Sequence, residues 1–471
     1  MRKGEITAFL SIVFVLLLSF VMGILQVSSV QRSKSISRLA ADRALYSVFG
    51  EYHQGMLEKY HVFAVDGSYG TGRYEEDNLI RRMHYYGTGS MEHEITAVQY
   101  LTDNSAQAFR EQVLEYMEQR YGVSLVRDYT GMTARWEEQE VQGNGMKEEQ
   151  ENVRGQIESL EESGQDTEEL TESGENPFAC VEQIEKKGIL SLVMPEEMTL
   201  SGSVIDLDTQ ASYRSLRRGR GVFPARKELD GPEERLLFNE YILKEFENAA
   251  GTEGQEQSEE NAGEEDKTQK SLSYEVEYIL SGKESDKKNL ESVLLKIFLI
   301  RMALNYSFLM NDSAKQSEAE TIALTVSAIL LMPEASEGIK QAVIAAWAAG
   351  ESVMDLRALL SGKRAALVKN SENWQVTAAA LFRLGSAEDS HNGTDAEGGM
   401  SYEDYLRMLL FLSDPDDTAM RTVDRAEENL FSEEKEKRLY ADQCITKLEI
   451  QNTAGLYGEI TYEFPVCFGY Q

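Results

Sequence analysis

The chain has 471 residues, 42% of them hydrophobic, with 81 acidic against 47 basic side chains and a net charge of −34. Acidity on this scale repels a polyanion, so nucleic acid is excluded as a partner, while the length allows two or three structural units. Three cysteines, Cys180, Cys444 and Cys467, are too few and too scattered for a disulfide framework or a zinc site; Cys444 and Cys467 could bridge outside the cytosol, or equally stay as buried thiols.

Residues 6–25, ITAFLSIVFVLLLSFVMGIL, carry no charge. As a helix they make about 30 Å, the thickness of a bilayer core, which predicts a transmembrane span. A cleaved signal peptide, with its site around Val27 and Ser29, is the competing reading. Arg2 and Lys3 precede the span and Arg32, Lys34, Arg38 and Arg43 follow it, so charge alone favours a cytoplasmic C-terminal side. After Leu25 no proline or glycine occurs until Gly50, and Leu39, Leu45, Val48, Phe49, Tyr52, Met56 and Leu57 recur mostly at helical spacings. The pattern predicts one helix of roughly 80 Å from residue 6 to about residue 60, with a tail and anchor over 1–27 and a juxtamembrane stalk over 28–60.

A small α/β unit is expected over 61–134, with a strand in HVFAVDGSYG, a helix over 74–86, a strand in HEITAVQYL and a helix over 105–121. Residues 135–176 hold 14 acidic and 3 basic side chains, and residues 251–270 hold 7 and 2. Both compositions are too polar to offset chain entropy. They predict an acidic disordered insertion over 135–178 and an acidic linker over 249–272, flanking a strand and helix segment over 179–248.

Residues 274–280 alternate like a strand, with Glu275 and Glu277 on a solvated face. Ser285 or Asp286 then caps a helix whose apolar stripe includes Leu290, Val293, Leu294, Ile297, Phe298 and Met302. TIALTVSAILLMP is too short to cross a membrane. The small-residue helix around Trp347 carries Asp355 and Arg357, read as surface charges. Residues 273–383 thus form a helical subdomain of antiparallel hairpins, followed by an acidic loop over 384–400. Over 401–471 come the helix SYEDYLRMLLFL and two alternating strands, TKLEIQNTAG and YGEITYEFPVCFGY, expected to form a hairpin that joins the N-terminal sheet. The class is α+β: a single N-terminal transmembrane helix continuing into a long amphipathic helix, then a mixed α/β unit with a helical subdomain and a C-terminal β-hairpin.

Signatures of catalysis are missing. The five histidines, His53, His61, His84, His93 and His391, show no metal-ligand spacing, and no nucleophile elbow, P-loop or dinucleotide fingerprint occurs. No catalytic, cofactor-binding or metal residue is assigned, and the expectation is a protein without enzymatic activity or cofactor.

The first 50 residues, with a short basic tail, a glycine, one long apolar helix and the pattern Ala40, Ala41, Asp42, Ala44, resemble the TadE and TadG proteins of tight-adherence (Tad) pili. More of the chain, through EYHQGMLEKYHVFAVD, VEYILSGKESDKKNLESVLLKIFLIRMALNY, AWAAGESVMDLRALLSGKRAALVK and SYEDYLRMLLFL, resembles an uncharacterised membrane-anchored family of Gram-positive bacteria, domain of unknown function 5702. These resemblances imply a single-pass cell-membrane protein with its bulk extracellular at the bacterial surface. Its partners would be the lipid bilayer and other pilin-like or Tad-system membrane proteins, and its role that of a pseudopilin-like component of the pilus or its assembly and secretion machinery. The alternative is a membrane-tethered sensor or ligand-binding module. Gly4 and Glu5 are the candidate processing residues; type IV pilins place a glutamate five residues after the cleaved glycine, where this chain has Phe9. Ala8, Ser11, Ser19 and Gly23 are the candidate positions for close helix packing in the membrane.

Overall fold

A computed structural model of the chain describes residues 2–146, 177–195, 198–251, 271–329, 334, 336–384, 392–434, 438–456 and 460–470. Its principal elements are α1 (Arg2–Phe49), β1 (Val65–Asp66), β2 (Met91–Tyr100), α2 (Asp103–Arg120), α3 (Pro232–Glu245), α4 (Glu275–Ser281), α5 (Asp286–Asn311), α6 (Ser313–Ile329), α7 (Ser336–Leu360), α8 (Tyr402–Leu412), α9 (Pro415–Glu434), β3 (Cys444–Gly455) and β4 (Thr461–Gly469). The chain divides into two compact units, the first made of residues 1–116, 215–227 and 426–471, the second of 117–214 and 228–425.

The first unit is an antiparallel sheet with a helix laid along it. Strand β3 is central: β2 pairs along one edge, and β4 and then β1 occupy the other. Arg220 exchanges both backbone hydrogen bonds with Val98 on the free side of β2, at 3.0 and 2.9 Å, which covers part of an edge that would otherwise be open to pairing. Ala41, Ala44, Leu45, Val48 and Phe49 of α1 are buried at spacings of three and one, the signature of a single helix face. They pack with Leu448 and Ile450 of β3, Phe464 and Val466 of β4, and Ile95 and Val98 of β2. The C-terminal hairpin thus joins the N-terminal sheet as its sequence predicts.

In the second unit α7 packs against both α5 and α6. Ser285 caps α5, its side chain accepting from the Lys288 N–H, and all six residues of the expected apolar stripe are buried. A reciprocal capping box between Ser401 and Asp404 starts α8.

Three expectations are corrected. The N-terminal helix stops at Phe49: Gly50 turns the chain, and His53 caps a separate helix, Gln54–Tyr60, by accepting the Met56 N–H at 3.2 Å. The expected strand over 274–280 is instead helix α4, Glu275–Ser281, with Tyr274 before its first turn and Gly282 closing it in the left-handed region at φ 62°, where a side chain would be strained. Residues 133–146, partly assigned to the acidic insertion, are helical, with Trp136 buried and Gly143 close against Ile300; the remainder, 147–176, lies outside the described residues, as do 252–270 and 385–391. Of the two states left open for Cys444 and Cys467, the structure shows separate thiols with no disulfide between them. Cys467 pairs with Glu449, about 17 Å along β3 from Cys444, so register prevents a bridge.

Candidate functional site: the exposed apolar half of the N-terminal helix

Helix α1 changes character along its length. Its second half is built into the sheet, whereas from Ile6 to Val27 the large side chains find no packing surface: Phe9, Phe14 and Phe20 are 67%, 65% and 67% exposed. An apolar surface of this extent marks a membrane or protein contact. The helix is long and apolar enough to cross a membrane. Helix α5 also passes that test on length and composition, but 61% of its apolar window is buried, as suits a core helix.

On a helix of 3.6 residues per turn, Ala8, Ser11, Ser19 and Gly23 fall within an arc of about 120°. Sequence spacing therefore does bring the four candidate packing residues to one face. Ser19 and Gly23 border a shallow groove with Leu16, Phe20, Ile24, Val27 and Ser28, and a Cβ built on Gly23 would meet open space. Among the described residues nothing requires a glycine there. Gly4 lies in the first turn of α1, and the Glu5 side chain falls outside the described residues.

The ionisable residues singled out from sequence are elsewhere and play another part. Asp355 is fully buried, not a surface charge. Arg301 donates to its Oδ2 through Nε and Nη2 at 2.9 and 2.7 Å, and Lys369 Nζ donates to its Oδ1 at 2.7 Å. The same Lys369 reaches Glu351 at 2.5 Å, and Glu351 accepts backbone N–H groups of Gln375 and Val376. Two cations and two carboxylates thus neutralise one another in the core and tie residues 369–376 to α7. Burial alone would raise the Asp355 carboxyl, but Arg301 and Lys369 outweigh it and hold it below the ordinary range. For Glu351 burial prevails over Lys369 and the carboxyl is pushed up. Arg357 is half-buried and donates to the Leu192 carbonyl at 2.7 Å.

Glu275 and Glu277 are likewise buried, contrary to the solvated face expected of them. Glu275 accepts the Glu247 N–H at 3.0 Å, and Glu277 Oε1 accepts the Ala249 N–H at 2.9 Å and the Tyr402 hydroxyl at 2.8 Å, leaving Oε2 without a partner. Burial raises Glu277 to about 7. The native state therefore favours its proton, and its contribution to stability is present below the unfolded value of about 4.3 and lost as pH rises toward 7. Glu277→Gln is expected to flatten the fall in unfolding temperature between about pH 4 and about pH 7. An unchanged slope in a thermal melt series would place that titration on another group.

These carboxylates hold backbone and neighbouring side chains, and among the described residues no cluster of three or more His, Cys, Asp or Glu is arranged to hold a metal. Fold and surface together define an α+β protein whose N-terminal helix is half core and half exposed apolar rod. The chain belongs to the family of unknown function DUF5702, whose profile matches residues 167–456, well over half of its length. The match starts after α1 and the sheet's first two strands. No curated protein and no solved structure matches the chain.

Proposed function

We propose that the protein is a membrane-anchored, non-enzymatic, pseudopilin-like component of a Tad-type pilus or of its assembly and secretion machinery, with its folded units outside the cell. The observation carrying this reading is the division of α1: one unbroken helix has an exposed apolar half and a half packed into an antiparallel sheet. A helix continuous across that boundary passes lateral contacts made in lipid directly to the folded unit. The face bearing Ala8, Ser11, Ser19 and Gly23 would provide those contacts, since small residues let helix backbones approach closely. The resemblance of the first 50 residues to TadE and TadG proteins supports the choice of system.

Position-specific crosslinking tests the reading. In a Cys467→Ser background, Gly23→Cys is expected to crosslink in native membranes to another pilin-like chain. Leu17→Cys, about 180° around from Ala8, is expected to stay monomeric. Equal crosslinking at both positions, or none at either, would remove the packing face. Protease treatment of intact cells reports the side on which the folded units lie, and protection of the chain would sink the extracellular assignment.

A further inference from the structure

The sheet is joined to α1 in a way that fixes its height along the helix. Aromatic residues of β4 meet α1 in order: Tyr462 lies 4.9 Å beneath the Lys34 ammonium and Phe464 5.9 Å from the Arg38 guanidinium. Phe468 lies 5.5 Å from Tyr46 and 4.7 Å from Phe49. From Lys34 to Tyr46 the helix rises about 18 Å; from Tyr462 to Phe468 the strand extends about 20 Å. The two run side by side, and β4 begins at the end nearer the apolar run.

That alignment locates the turn end of the hairpin. Leu456 donates to the Ile460 carbonyl at 2.7 Å, closing the β3 to β4 connection. Ile460 stands about 7 Å before Tyr462, level with helix residues near 30. Those residues are about 7 Å past Leu25, the end of the apolar run. The headgroup layer on one side of a bilayer is about 5–7 Å deep. A span over 6–25 therefore brings Ile460, an isoleucine 41% exposed, to the headgroup level.

Charge points to the same surface. Between Glu5 and Asp42 the chain has no acidic residue, and Arg32, Lys34 and Arg38 form a basic collar there in a protein of net charge −34. Arg32 and Arg38 are exposed. Among the described residues the acidic side chains nearest this end, Glu92 and Glu463, are exposed on the sheet face turned away from the helix, while Glu459, next to Ile460 in sequence, lies outside the described residues.

We propose that the hairpin end of the first unit sits on the bilayer, with Ile460 in the interfacial layer and the Arg32, Lys34 and Arg38 collar binding anionic lipid headgroups. The unit is then seated on the membrane rather than carried above it on a free stalk. This inference rests on residues 6–25 spanning the bilayer.

Full-length protein in nanodiscs tests it. A nitroxide quencher is carried on lipid headgroups, and an environment-sensitive label is placed at Ile460→Cys in a Cys467→Ser background, where the remaining thiols are buried. Strong quenching is expected, increasing about twofold when phosphatidylglycerol is added to phosphatidylcholine, because each basic side chain near an anionic surface is attracted to it. High salt and the pair Arg32→Gln with Arg38→Gln should each remove the increase. An unquenched label at 460, beside a Gly23→Cys label quenched by nitroxide on the acyl chains, would overturn the seating while leaving the anchor intact. Quenching indifferent to phosphatidylglycerol would overturn headgroup binding. Failure of the Gly23→Cys control would remove the anchor and this proposal with it.

Discussion

Asp355→Ala is expected to destabilise the second unit by about 3–5 kcal/mol, because it strands two buried cations with one carboxylate between them. Arg301 and Lys369 both direct hydrogen bonds at Asp355, and their side chains are at most 1% exposed. Both are therefore shut off from water by the surrounding packing. Asn305 Nδ2 also loses an acceptor, 3.1 Å away in the native arrangement. Chemical denaturation of the full chain in detergent, followed by the fluorescence of Trp347 and Trp374, reads the loss. Arg301→Met combined with Asp355→Leu should cost less than the sum of the single changes, since partners in one network are coupled. A cost below about 1 kcal/mol for Asp355→Ala would mean that the core absorbs the unpaired cations, contrary to the burial seen. The network also has an acid limit. Asp355 is held below its ordinary range, so its contribution is complete above the unfolded value of about 3.9 and fails only as pH falls through the lower folded value.

The second large effect concerns membrane insertion. Val15→Arg with Leu16→Arg places two cations at the middle of the apolar run. Each central arginine opposes insertion by about 2.5–3.5 kcal/mol, so the pair opposes it by roughly 5–7 kcal/mol. The variant should move from the carbonate-resistant membrane fraction to the soluble fraction. Its second unit should keep the native melting temperature, because neither residue belongs to that unit. Unaltered fractionation would remove residues 6–25 as the anchor. The converse holds for α5, whose apolar residues are mostly inside: a charge introduced at the fully buried Val293 is expected to unfold the unit without altering fractionation of what remains folded.

The sequence determined the elements whose patterns are local. Helix α5 was legible because its cap and its apolar stripe agree, and α8 because Ser401 and Asp404 make a capping box. The exposed half of α1 was legible because twenty uncharged residues leave no polar face, and the two C-terminal strands because they alternate. Helix geometry alone puts Ala8, Ser11, Ser19 and Gly23 within one arc of the helix.

Tertiary structure decided the roles of the charges and the level at which the first unit meets α1. Asp355, Glu275 and Glu277 looked solvated because an isolated carboxylate in a sequence is most stable in water. Their partners lie far along the chain: Arg301 and Lys369 for Asp355, Tyr402 for Glu277. A buried charge is tolerated only when such partners converge, and no local period encodes that convergence. The alternation over 274–280 misled for the same reason, the two glutamates being buried acceptors for the backbone of 247 and 249. Helix α1 itself divides between two environments according to a sheet whose central and longest strand comes from residues 444–455, some 400 positions later. Which half of the helix is apolar throughout can be read locally; which half packs on protein depends on where residues 444–470 return.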